Sequence, residues 1–136
     1  MREILFRGKH IHALSKNEHL DGTWVYGYLS DENYINSPEL EGEFLVDKET
    51  ICQYTGLTDK NGRKIFEGDI FRYTDEVIEK EKVAEVKYNE NHATFCRLHN
   101  SKMGPQYLFI DKVTANRGEI IGNIFDNPEL LKEVAK

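Results

Sequence analysis

Short apolar runs, each broken within a few residues by Gly, Asn, Asp or Pro, extend along the whole chain, and this spacing predicts strands. Glu3–Arg7 is the first expected strand. Thr23–Leu29 is the second, begun at the Asp21-Gly22 turn, with Trp24, Tyr26 and Tyr28 on one face because side chains alternate along an extended chain. Tyr34-Ile35, Phe44–Val46 and Thr50–Tyr54 follow, separated by Asp31-Glu32-Asn33, Pro38 and Asp47-Lys48-Glu49. The densest turn chemistry is Gly56–Lys64, where Asn61-Gly62 tolerates the positive φ of a tight turn. Gly68-Asp69 then leads into Ile70–Tyr73. Val83–Tyr88 and Thr94–Leu98 form a hairpin across Asn89-Glu90-Asn91, Tyr107–Ile110 is a further strand, and Glu119–Phe125 is the last, after an Asn116-Arg117-Gly118 turn. Glu76–Lys82 fits a solvated loop, a hairpin tip or a helical turn equally. At the C-terminus the period changes to helical: Asn127 suits an N-cap, Pro128 the first helical position, and Leu130, Leu131 and Val134 one face of a short helix.

These elements describe a mainly β fold: an SH3-like small barrel formed largely by residues 51–126, with an N-terminal β extension and a short C-terminal helix, Pro128–Val134. The expected division is 1–50, the extension, and 51–136, the barrel and helix, with one compact unit left open. Seven Tyr and seven Phe supply core without disulfides. Cys52 and Cys96 have no CxxC spacing and predict reduced thiols. With no apolar run suited to a signal peptide or a bilayer span, the expected location is cytoplasmic. Charge sharpens the picture. Residues 15–50 carry nine acids against Lys16 and Lys48, so the excess of acid in a chain of net charge −6 lies there. Such a segment repels phosphate backbones and suits either a solvated surface or a docking face for a basic partner.

Three segments read together as one pattern: Arg2–Arg7, Gln53–Ile70 and Ile121–Leu131, with Trp24-Val25-Tyr26-Gly27 in agreement. Together they resemble the YopX family of phage and prophage proteins. The resemblance implies a bacterial host cell and a mainly β protein with an SH3-type barrel. It implies no activity, cofactor or catalytic residue, and residues 75–110 lie outside the shared motifs.

The candidate chemistry is thin. Asp59-Lys60-Asn61-Gly62 suggests a calcium loop, but with Gly62 sixth, Leu57 and Gly68 fall where carboxylates are required. No phosphate-loop motif is present. His10, His12 and His19 lack the further ligands of a zinc site, and surface histidines are expected. Cys96 and His99, three apart on a strand, project to opposite faces and form no nucleophile pair. Catalytic, cofactor and metal residues are therefore expected to be none. Phe95, Arg97, His99, Lys102, Tyr107, Phe109, Lys112 and Arg117 make a mildly basic, aromatic stretch compatible with a small nucleic-acid-binding β barrel. The leading expectation is a non-enzymatic protein-interaction or assembly module with an unknown protein partner, and a homo-oligomer stays open. Trp24, Tyr26 and Tyr28 are its interaction surface if exposed, and core otherwise.

Overall fold

The computed structural model of the chain describes residues 2–11 and 22–134. The described chain is mainly β, with strands in two antiparallel sheets and short helices near the end. It divides into compact units Met1–Tyr54 and Thr55–Lys136, with the boundary inside one strand.

The first unit contains β1 (Phe6–Lys9), β2 (Trp24–Asp31), β3 (Tyr34–Ser37), β4 (Gly42–Leu45) and the start of β5 (Cys52–Thr58), in the order β4-β3-β2-β1-β5. β1 starts later than the expected Glu3 because its pairing begins where Phe6 meets Gly27 on one side and Gln53 on the other. Val25, Ile35 and Val46 are buried together, with Phe6, Phe44 and Ile51 packed against them. Gly27 is required by close approach: a Cβ there would lie 1.9 Å from the carbonyl oxygen of Asn36 on β3. The expected strand Thr50–Tyr54 begins only at Cys52, because Asp47 caps a 3-10 turn over Lys48–Thr50, accepting from the Glu49 N–H at 3.0 Å. Thr50 then accepts from the Lys9 N–H at 2.8 Å, which ties the turn to β1.

The second unit takes the remainder of β5, then β6 (Lys64–Phe66), β7 (Asp69–Asp75), β8 (Lys80–Asn89), β9 (Thr94–Ser101), β10 (Gly104–Phe109), α1 (Lys112–Asn116), β11 (Glu119–Asn123) and α2 (Glu129–Val134). Its larger sheet has the order β10-β9-β8-β7-β11. Glu76–Glu79 proves to be a hairpin tip, where Asp75 accepts from the Val77 N–H at 2.9 Å. One face of the sheet buries Phe71, Tyr73, Ala84 and Val86 with Ile65, Ile110 and Ala115. The sheet does not close into a barrel. The chain between its two edge strands, β10 and β11, forms α1 instead of a closing ladder. Asp111 caps α1 by accepting from the Thr114 N–H at 2.8 Å. This helix was not anticipated from the sequence, since the Asp-x-x-Thr cap opens only five helical residues.

The central turn is an anchor. Between Asp59 and Arg63 only Gly62 takes positive φ, at 79°, and the Gly62 N–H donates to the Asp59 carbonyl at 3.0 Å while the Asp59 N–H donates to the Arg63 carbonyl at 2.9 Å. This is a three-residue hairpin loop, with glycine at its last position. The Asp59 carboxylate, buried, accepts from the N–H groups of Asn61 and Arg63, both at 2.9 Å, and of Ile120 on β11 at 3.0 Å. The Lys60 N–H donates to the Gly118 carbonyl at 2.9 Å. Asp69 likewise accepts from the Phe66 N–H at 2.7 Å, and Gly68 hydrogen-bonds Val86 and Ile124 through its backbone. Near the end, the Asn127 carbonyl accepts from the Leu130 N–H at 3.1 Å at the start of α2, and its side chain accepts from the Asn123 N–H at 3.2 Å, fastening the turn before the helix.

Burial raises the proton affinity of Asp59, but the N–H groups of Ile120, Arg63 and Asn61 and the Arg63 guanidinium outweigh it and hold the carboxyl below its ordinary range. Asp59→Ala leaves three donors without this acceptor and is expected to lose about 2–3 kcal/mol in urea denaturation. An unchanged midpoint would refute the anchoring role. Because the folded pKa is lowered, the contribution is complete above the unfolded value of about 3.9 and is lost as pH falls through the folded value. The urea midpoint of Asp59→Asn is accordingly expected to fall less steeply in that acid window than that of the wild type.

Candidate functional site

The register of β1 against β2 sets the first candidate surface. Lys9 pairs with Trp24 and Arg7 with Tyr26, so all four share a face, opposite that of Val25. Tyr28 continues the row. The stripe expected from the sequence is therefore surface: Tyr26 is 39% and Tyr28 53% exposed, and Trp24 is half-buried. The Arg7 guanidinium lies 4.6 Å from the Trp24 ring centroid and the Lys9 ammonium 5.5 Å from it, both within cation–π range. Tyr28 pairs with Asn36 on β3, and Asn36 with Glu43 on β4. Tyr34 lies on the same face, also exposed, and the Ser30 hydroxyl donates to Glu43. Arg7, Lys9, Tyr34 and Glu43 escaped the sequence reading. Their own period-two spacing was visible, but the strand register that brings them together was not.

The second unit holds a cleft of 270 Å³ lined by Tyr73, Asp75, Glu76, Arg97, Thr114 and Arg117 among others. At its side the Tyr73 hydroxyl meets His99 Nε2 at 2.6 Å, and Arg97 lies 4.6 Å from the Tyr73 ring centroid. The charges of the cleft are engaged within the protein. Arg97 donates through Nε and Nη2 to the Phe109 carbonyl, Arg117 pairs with Glu76, and Lys82 pairs with Asp75 at 3.3 Å. Burial raises the Tyr73 pKa, with Arg97 and Lys82 opposing. Burial first, then Lys82 and Arg97, lower that of His99. Both groups are thus neutral near pH 7, and the hydroxyl and the imidazole share one hydrogen bond.

The remaining sequence candidates separate. Cys96 pairs with Phe109 and His99 with Gln106, so thiol and imidazole face opposite ways, and the buried thiol donates to the Lys87 carbonyl. Burial raises the Cys96 pKa, which disfavours a nucleophilic thiolate. The basic aromatic stretch is divided in the same manner. Phe95, Arg97 and His99 share one face of β9, and Tyr107 and Phe109 lie with Leu98 and Cys96 on the other. Lys102, Lys112 and Arg117 are exposed. His10 is not a surface histidine: it is 2% exposed, bridged to Val46, with Nδ1 2.9 Å from the Leu45 carbonyl and its ring edge-on to Phe44. His12 and His19 lie outside the described residues, among which no metal-binding cluster occurs. No helix among the described residues is long and apolar enough to cross a membrane.

Because the folded imidazole of His99 takes up a proton less readily than the unfolded one, whose pKa is about 6.5, the unfolded state binds more protons below that value. Stability from this group is therefore lost as pH falls from about 6.5 through the folded pKa. His99→Gln is expected to flatten the urea midpoint across that window, and an equal slope in variant and wild type would refute it.

No curated protein gives a significant match to this chain. A solved structure, the crystal structure of protein EF1440 from Enterococcus faecalis, is similar at 22% identity and TM-score 0.44, covering 96% of this chain and 99% of that one. The family model described as YopX protein matches residues 9–132, which is nearly the whole chain and takes in the Trp24 stripe, the Asp59 turn and the start of α2. The chain belongs to the YopX protein family.

Proposed function

We propose that this protein is a phage or prophage accessory protein of the bacterial cytoplasm. On this reading it acts as a non-enzymatic interaction module, presenting Trp24, Tyr26 and Tyr28 to a protein partner. The observation that carries the reading is the exposure of the stripe on a face whose reverse side is the core of the first unit. Tyr and Trp are the residues most enriched at interface hot spots, where they bury much area at little entropic cost. Support for the non-enzymatic part comes from the groups that could do chemistry. His99, Cys96 and the charged groups of the Tyr73 cleft are each engaged by protein partners, and thiol and imidazole lie on opposite faces. An SH3-like lineage for the second unit belongs to the same proposal, supported by its short antiparallel strands and the Gly68-Asp69 start of β7; by itself it assigns no function.

A small nucleic-acid-binding protein is the alternative. It is weakened by the division of Arg97 and His99 from Tyr107 and Phe109, which leaves no single basic aromatic platform on that sheet. The two readings separate on heparin. No retention is expected at moderate salt, whereas retention that weakens steeply with salt would favour nucleic acid. Affinity capture from host lysate, with partners identified by mass spectrometry, is expected to yield a partner whose recovery drops about tenfold or more when Tyr26 and Tyr28 are both changed to Ser. Equal recovery by the double variant would sink the proposed surface.

A further inference from the structure

We infer that the far end of the aromatic face, around Tyr28, Tyr34 and Glu43, receives an arginine or lysine side chain of the partner, so that the partner is a basic protein segment. The inference rests on the interaction reading above and adds the partner's chemistry. Three observations carry it. At the near end, Trp24 already holds two cations, Arg7 and Lys9, which shows that rings on this face accept positive charge. At the far end, Tyr28 and Tyr34 are exposed, and among the described residues no cation sits against either ring. Between them lies Asn36, exposed and shorter than its neighbours, with Glu43 on the next rung. Tyr28, Tyr34 and Glu43 are thus the neighbours of Asn36 on one exposed face, and a guanidinium placed over Asn36 would lie among two tyrosines and a carboxylate.

The charge of this part of the chain points the same way. Residues 22–47 contain Asp31, Glu32, Glu39, Glu41, Glu43 and Asp47, and no Lys or Arg. Glu43 takes the Ser30 hydroxyl on one oxygen and has no basic partner among the described residues. A segment with this excess of acid repels phosphate and acidic peptides and draws basic ones, raising their association rate. Arginine fits better than lysine, since its planar group can stack on a ring while its edge donates to the carboxylate.

The test is selection of a random displayed peptide library on the immobilised full chain, counter-screened on Tyr28→Ser. Expected are peptides rich in Arg or Lys that bind the wild type and are lost on the variant. The one tryptophan of the chain, Trp24, lies in the stripe and reports their binding by its fluorescence. Glu43→Gln is expected to weaken a selected peptide by up to roughly fivefold, as for an exposed ion pair, and Glu43→Lys by more. Face-dependent peptides without basic residues would overturn this inference and leave the interaction surface standing. Basic peptides indifferent to Tyr28→Ser, or to Glu43→Lys, would overturn it too. A selection giving no peptide that depends on Tyr28 would count against both the inference and the surface on which it rests.

Discussion

The Asp59 carboxylate collects backbone N–H groups from its own turn, Asn61 and Arg63, and from Ile120, sixty-one residues further along the chain. A buried carboxylate is stable only when its lone pairs are satisfied, so the turn and β11 hold fixed positions relative to it. The Arg63 side chain, 3.5 Å from the same carboxylate and donating to the Ile120 carbonyl, repeats the connection. Lys60 reaches Glu119 at 4.0 Å and Gly118 through its backbone. The segment that most resembled a metal loop is therefore occupied by the protein itself. Its acid binds amide hydrogens in place of a cation, and its glycine serves the loop geometry.

How much of this was legible in the sequence follows from the range of each interaction. Period-two alternation identified the strands, because each strand's faces are set by its own residues. Asn61-Gly62 marked a turn correctly, but not that the Asp59 side chain would bind the N–H groups of a three-residue loop. Asn127 marked the start of the helix, but not that its side chain would hold the Asn123 N–H in the turn before it. The open sheet was invisible, because α1 depends on one capping aspartate and five residues whose own propensity is weak. His10 was misjudged because nothing local shows that β1 lays it beside Leu45 and Phe44.

The same distinction governs the candidate surfaces. That Trp24, Tyr26 and Tyr28 share a face follows from spacing alone. Which face became core was decided by Val25, Ile35 and Val46, whose β-branched side chains pack together across strands. The meeting of Arg7 with Trp24, and of Tyr73 with His99, is a matter of register across strands that no single segment encodes. In both units the groups with the greatest chemical potential are absorbed by structure, which leaves aromatic area and acidic charge as what the first unit offers outward.

The bond from Asp59 to Ile120 has a consequence in time as well as in space. During synthesis the central turn is complete long before residue 120 exists, and until then one oxygen of its carboxylate lacks its partner in β11. Contacts of such sequence separation form late, because the loop must be closed before it is rewarded. The segment that is most recognisable in the sequence is thus among the last to be consolidated in the folding chain, and a nascent chain halted before β11 would carry its most characteristic turn unanchored.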